Sequence, residues 1–217
     1  MRHFLPNKQA IRRKKIHRKF KEFTMISENI YISNLELAES ISNVNGCIVE
    51  CGVWKGGMCA GISSILGPSR KYYLFDSFEG LPPARDIDGT SAIVWQGNTE
   101  APEYCDNCTA TKETAAKAMN IANTSNYELV AGWFNETLPK FDLHEPIALL
   151  RLDGDWYDST MVCLVSLFDK VQTGGLIIID DYHTWDGCSR AVHDFLSCQS
   201  AVERIDCYKG VCFIRKK

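Results

Sequence analysis

Ile147-Ala-Leu-Leu-Arg-Leu152 runs into Asp153-Gly154-Asp155, and Gly174-Gly-Leu-Ile-Ile-Ile179 runs into Asp180-Asp181-Tyr182. A short, mainly aliphatic run bounded by Gly or Pro fits a strand covered on both faces, so both segments read as buried parallel strands. Open α/β sheets bind ligands beyond the carboxyl ends of their strands, which puts both acidic clusters on the functional edge. Neighbouring strands would crowd four carboxylates there. Like charges at that range raise one another's pKa unless something offsets them. A hard divalent cation such as Mg2+, which takes oxygen ligands, would do so. The plainer alternative is helix capping by carboxylates, with Asp158-Ser159-Thr160 closing the start of a helix over Met161–Lys170.

Composition narrows the classes. A chain of 217 residues suits one well-buried α/β domain, and 45% hydrophobic with 24% charged residues is ordinary for a globular protein. No apolar stretch approaches the roughly 20 residues that cross a bilayer, and the N-terminus lacks a secretory h-region, so the cytoplasm is the expected location. Residues 1–21 hold nine Lys or Arg and no acid, leaving 15 of the 24 basic residues against all 27 acidic ones in the remainder. Such a basic arm can bind nucleic acid. With only Phe4 and Phe20 available to stack bases, the favoured reading is an arm over residues 1–23 lying on the protein's own acidic body, with no nucleic-acid partner. Of the ten cysteines, Cys47, Cys51, Cys59 and Cys163 fall in core elements as small hydrophobes. Cys105-Asp-Asn-Cys108 has zinc-knuckle spacing without a second pair, and Cys207 and Cys212 could face each other across a hairpin. Reduced thiols are expected.

Around the two strands, periodicity predicts a helix over Ser27–Val44, a strand at Cys47–Cys51, a helix at Met58–Leu66 and a strand at Lys71–Phe75 ending in Asp76. A helix at Lys112–Asn123 and a strand at Tyr127–Val130 follow. The C-terminal part reads as a helix over Cys188–Cys198 and a closing antiparallel pair, Val202–Cys207 with Val211–Arg215. Residues 79–111 lose periodicity and read as a lid without regular structure over a single domain spanning 24–217. Strands alternating with helices imply a mostly parallel sheet with helices on both faces.

Val49-Glu50-Cys51-Gly52-Val53-Trp54-Lys55-Gly56-Gly57 joins the first strand to its helix. Its glycines would let backbone approach a ligand at a helix N-terminus, although the spacing is not the G-x-G-x-x-G of dinucleotide sites. Asp76 suits a ribose hydroxyl pair. Together with Phe75-Asp-Ser-Phe-Glu-Gly-Leu-Pro82, Gly132-Trp-Phe-Asn-Glu-Thr-Leu-Pro139, Leu152-Asp-Gly-Asp-Trp-Tyr-Asp-Ser-Thr160 and Ile179-Asp-Asp-Tyr182, this segment resembles the macrocin O-methyltransferase family. The five motifs run in order from about Thr24 to the C-terminus. The chain departs from the family in its basic arm, its Cys-bearing lid at Trp95–Thr111 and its short length.

The resemblance implies a Rossmann-like class I methyltransferase fold with a seven-stranded sheet, and a metal-dependent enzyme that uses S-adenosylmethionine to methylate a sugar or glycoside hydroxyl. It also suggests a homo-oligomer. Glu50, Gly52, Gly56 and Gly57 would hold the methionine and ribose parts of the cofactor, Asp76 and Ser77 the ribose, Gly132 and Trp133 the adenine, and Thr24 with Ser27 the carboxylate. Asp153, Asp180 and Asp181 match the metal ligands. Asp155 is the first choice of base, with Asp153 in the same turn. Trp156, Tyr157 and His183 are the candidate acceptor contacts, and His193 reads as structural. The alternatives are the same transfer to a phenol, catechol or polyketide hydroxyl, an NAD-linked oxidoreductase, or a non-catalytic module acting through the basic arm.

Overall fold

In a computed structural model, which describes residues 8–102, 104–199 and 202–217, the chain folds around one sheet of seven strands. The elements in chain order are α1 (Lys8–Phe20), α2 (Glu28–Ser40), β1 (Cys47–Cys51), α3 (Gly57–Leu66), β2 (Tyr72–Asp76), α4 (Thr90–Gly97), α5 (Lys112–Ile121), β3 (Tyr127–Ala131), α6 (Phe134–Thr137), β4 (Ile147–Leu152), α7 (Tyr157–Leu167), β5 (Val171–Ile179), α8 (Asp186–Cys198), β6 (Ile205–Tyr208) and β7 (Val211–Arg215). The sheet order is β3-β2-β1-β4-β5-β7-β6. Strands β1 to β5 pair in parallel, and β7 runs antiparallel to both β5 and β6. β1 and β4 are neighbours, as are β4 and β5, so both acidic clusters leave the same edge side by side.

Period-2 alternation divides the core into two layers. Ile48, Leu176 and Ile178 face one layer, covered by α1, α2, α3 and α5. Cys47, Val49, Cys51, Leu150, Ile177 and Ile179 face the other, covered by α7 and α8. Every residue of β1 and β4 is buried, which explains their nearly unbroken apolar sequence. The ten cysteines are free. Cys207 and Cys212 are register partners across the Lys209-Gly210 turn, as the hairpin reading expected.

Three expectations need correction. The segment 79–111 contains α4 and short 3-10 turns at Asp86–Asp88 and Asp106–Cys108. Its apolar residues Ala92-Ile93-Val94-Trp95 are consecutive, so no helical period shows in the sequence. Side-chain bonds hold it: the Gln96 amide donates to Pro82 O (3.0 Å) and Asn107 Oδ1 (2.9 Å) and accepts from Ala84 N (2.7 Å). α7 starts at Tyr157, before the expected Met161, because Asp88 reaches from the lid to accept from Tyr157 N at 2.7 Å. Asp158 is therefore no cap, and it pairs with Arg85 at 2.5 Å. α2 stops at Ser40, short of the expected Val44. Beyond it the chain tightens into turns, in which Ile41 N donates to Ala38 O (3.1 Å) and Val44 N to Ile41 O (2.9 Å).

The basic segment is part of the fold as far as it is described. α1 buries Ile16, His17 and Phe20 against α2 and α3, and Arg13 pairs with Glu36 (3.0 Å) and Glu39. Lys14 lies 3.6 Å from Glu28, so these basic side chains meet acids of the protein's own α2. Phe4 lies outside the described residues. No described helix is long and apolar enough to cross a membrane.

Candidate active site

A cavity of about 1110 Å³ opens at the carboxyl ends of the parallel strands. A single drug-sized ligand needs roughly 300–1,000 Å³, so there is room for a nucleoside-sized group with a second molecule beside it. Its wall includes Thr24, Ser27, Glu50, Gly52, Asp76 and Ser77 together with Trp95, Asp153, Asp155, Asp181, His183 and Trp185. Trp133 lies on the wall, whereas Gly56, Gly57 and Gly132 do not.

The glycine turn serves the protein's own backbone more than the ligand. A Cβ on Gly52, at φ +89°, would sit 1.7 Å from Asp153 O; one on Gly57 would sit 2.3 Å from Phe23 O. These contacts, made by chain segments far apart in sequence, replace the expected reason for Gly57, which was approach to a ligand. Asp76 has a similar duty. Its Oδ2 accepts from Val53 N (2.9 Å) and Trp54 N (2.8 Å), and its Oδ1 from Phe78 N (2.7 Å). Burial raises its pKa while these three N–H donors oppose the shift. Asp76 thus fixes the loops after β1 and β2 while still lining the cavity.

The acidic side is organised by Arg151, whose importance the sequence reading missed. Arg151 is fully buried in β4, level with Glu50 on β1. Its Nη1 donates to Glu50 Oε1 (2.7 Å) and Asp153 Oδ2 (2.6 Å), and its Nε to Asn34 Oδ1 (3.4 Å). Nη2 makes an ion pair with Asp180 Oδ1 at 2.6 Å whose angles fall outside hydrogen-bond geometry. One guanidinium therefore offsets three of the carboxylates. A lone Arg within an apolar central strand, two residues before an acid, was the available signal.

Asp153, Asp155 and Asp181 each bring a carboxylate oxygen within 4.8 Å of the others, and Asp153 and Asp180 both pair with Arg151 at 2.6 Å. Asp155 adopts φ +58°, strained for a non-glycine residue, with its N–H donating to Asp181 Oδ2 (3.1 Å) and its Oδ1 accepting from Trp185 Nε1 (2.8 Å). Burial, then the Asp153 charge, push the Asp155 carboxyl up to about 7. Burial, with Asp155 and Asp153 adding to it, raises Asp181 well above the carboxylate range. Burial takes Asp180 to about 6 against the opposing pull of Arg151. Glu50 reaches about 7 through burial, also opposed by Arg151. Its Oε2 is buried without a hydrogen-bond partner among the described residues, with the weak Cys59 thiol beside it. An unsatisfied carboxylate oxygen on the cavity wall suits a ligand that donates N–H or O–H.

Trp156 and Tyr157, expected to touch an acceptor, do not line the cavity. Trp156 is 2% exposed and donates to Pro82 O (2.8 Å), so it holds the lid to the sheet edge. Tyr157 sends its hydroxyl to Asp194 (3.0 Å). Trp95 and Trp185 supply the aromatic wall instead, packed with Trp156 at centroid distances of 5.2 to 6.4 Å. His183 is on the wall, with Nε2 3.1 Å from Cys212 Sγ. His193 bonds the Tyr182 hydroxyl at 2.8 Å, a structural role as expected.

A profile described as Macrocin-O-methyltransferase (TylF) matches residues 6–216. The chain belongs to the macrocin O-methyltransferase family. It is 34% identical to demethyldecarbamoylnovobiocin O-methyltransferase of Streptomyces niveus over 162 residues, 71% of this chain and 59% of that protein. It is 33% identical to 8-demethyl-8-(2,3-dimethoxy-alpha-L-rhamnosyl)-tetracenomycin-C 4'-O-methyltransferase of Streptomyces olivaceus over 163 residues, 70% of this chain and 58% of that one. The chain thus matches less than two thirds of the length of these family members. The solved O-methyltransferase NovP superposes with a TM-score of 0.75 at 25% identity, covering 94% of this chain and 88% of NovP. The fold is therefore that of the class I O-methyltransferases, as the resemblance implied.

Proposed function

We propose that this protein is an S-adenosylmethionine-dependent, divalent-metal-dependent O-methyltransferase acting on a hydroxyl of a sugar or glycoside. The observation that carries the reading is the Asp153, Asp155 and Asp181 cluster in a cavity whose wall also presents Glu50, Thr24 and Ser27. The chemistry of both sets of residues fits the two groups. When bound, S-adenosylmethionine supplies an electrophilic methyl and a divalent cation supplies a Lewis acid that lowers the pKa of a nearby hydroxyl. Glu50, through its unpartnered Oε2, would accept from the cofactor's ammonium; Ser77 and Trp133 would flank its nucleoside part, with Asp76 fixing the loop that holds it. Asp153 and Asp181 would hold the cation. Asp155, kept in place by the Trp185 indole and placed near neutrality by burial, takes the acceptor's proton on Oδ2. The aromatic wall of Trp95 and Trp185 suits the apolar face of a sugar ring, and the lid above it excludes water. The rhamnosyl group in the name of the Streptomyces olivaceus relative supports a glycoside over a free phenol.

Calorimetric titration of S-adenosylhomocysteine into metal-free protein tests the cofactor half, and a Mg2+ titration tests the other. S-adenosylhomocysteine binding is expected in wild type and in Asp153→Ala and Asp181→Ala, with Mg2+ heat only in wild type. Methyl transfer to a glycoside panel should fall by about 10²–10⁴ in Asp155→Asn. A folded protein that binds no S-adenosylhomocysteine would end the methyltransferase reading.

A further inference from the structure

A second set of ligand-type side chains stands beside the acidic cluster and takes no part in the proposed chemistry. His183 Nε2 lies 3.1 Å from Cys212 Sγ and 3.8 Å from Cys207 Sγ, and all three atoms fall within 4.8 Å of one another. The two cysteines face each other as register partners of the β6–β7 hairpin. Cys212 is buried and fixed on its other side by pairing with Ile179 of β5, while His183 and Cys207 are exposed and leave an entry path.

We propose that His183, Cys207 and Cys212 form a binding site for a soft divalent cation of the zinc type at the rim of the cavity. Two thiolates and an imidazole are ligands that zinc prefers, in contrast to the all-oxygen Asp153 cluster, which suits magnesium. The spacing agrees with the coordination. Zn–S bonds of about 2.3 Å and Zn–N bonds of about 2.0–2.1 Å in a tetrahedron place S and N about 3.6 Å apart. The observed 3.1 and 3.8 Å bracket that value. Two thiol protons leave to solvent as the thiolates bind, giving a neutral site with three protein ligands and a fourth position for water or another donor. His183 closely follows Asp181 in the chain, so the ion would fasten the hairpin to the turn that carries Asp180 and Asp181. Filling this site therefore shapes the wall that His183 and Gly210 contribute to the cavity.

The test is titration of reduced, metal-free, full-length protein with Co2+ in excess Mg2+, which occupies the carboxylates. One equivalent of Co2+ should produce thiolate-to-cobalt charge-transfer absorption and intense tetrahedral d–d bands, both removed by one equivalent of Zn2+. Zn2+ should also raise the thermal midpoint. His183→Ala and Cys207→Ser, both at exposed positions that do not endanger folding, should lose the bands. Asp181→Asn and the Cys105→Ser/Cys108→Ser variant should keep them. Folded wild type without charge-transfer bands, or bands that persist in Cys207→Ser, would overturn the site. So would loss of two titratable thiols, restored by reductant, in protein that takes up no cobalt, because that result assigns the pair to a disulfide.

Discussion

Two regions of the cavity wall, the glycine turn with Asp76 and the acidic cluster around Arg151, use carboxylates in opposite ways. At the glycine turn, Asp76 accepts three backbone N–H bonds and holds two loops in place. At the acidic cluster, Arg151 offsets Glu50, Asp153 and Asp180, while burial and the neighbouring Asp153 charge raise both Asp155 and Asp181. A satisfied carboxylate builds structure; one left in excess of its counter-ions holds a place for a ligand. The contrast yields predictions that differ in sign.

The largest effect is expected at the hinge between the two roles. Arg151→Met keeps much of the volume of the side chain but leaves Glu50, Asp153 and Asp180 without their counter-ion. Breaking a buried pair from one side costs about 3–5 kcal/mol. Urea denaturation should show a loss of that order, or no folded protein at neutral pH. If stability were unchanged, the claim that Arg151 organises the acidic cluster would be wrong.

Asp76→Ala and Asp181→Asn then separate building from holding. Removing Asp76 leaves the N–H groups of Val53, Trp54 and Phe78 without their charged acceptor, so a loss of about 2–3 kcal/mol is expected together with weaker S-adenosylhomocysteine binding. Asp181→Asn removes a repelled charge. The metal-free variant should be as stable as wild type or more so, while Mg2+ binding disappears. Equal destabilisation by the two substitutions would erase the distinction between the two roles.

The pH dependence follows from the same excess. Asp155 and Glu50 are pushed up to about 7 and Asp180 to about 6, above the ordinary carboxylate value of about 4. A carboxyl raised in the folded state favours folding in its neutral form. That contribution is complete below about pH 4 and is lost as pH climbs through about 6 to 7. The thermal midpoint of metal-free protein should therefore fall by several degrees between about pH 5 and about pH 8. Added Mg2+ should restore part of it at the upper end of this window and little at the lower. A midpoint that rises across the window would contradict the charge excess.

How far the sequence disclosed this molecule depended on how local each cause was. The strands, their order along the chain and the sheet edge carrying Asp153 and Asp181 were legible because aliphatic runs and terminal acids are local patterns. The roles of Gly57 and Gly52 were not, since their neighbours Phe23 and Asp153 come from distant segments. Arg151 could be seen, but its partners Glu50, Asp153 and Asp180 stand at the ends of three different strands. Trp156 looked like an acceptor contact beside the acids until the lid buried it with a bond to Pro82. Helix α4 was hidden by its lack of a period.

The smallest expected effect concerns how finely the acidic cluster is adjusted. The Trp185 indole N–H donates to Asp155 Oδ1 and counters the upward push on this carboxyl from burial and its acidic neighbours. Trp185→Phe retains an aromatic ring against Trp95 and Trp156 while removing the donor. Stability should change by less than about 1.5 kcal/mol, the net worth of an ordinary hydrogen bond. Without the donor the Asp155 carboxyl rises further, so the acid limb of the pH–rate profile should move to higher pH. The rate at neutrality should fall a few-fold and recover as the pH is raised. A lower rate at every pH with no movement of the limb would make Trp185 only a wall for the acceptor; a moved limb makes it the residue that positions Asp155 and adjusts its affinity for the proton.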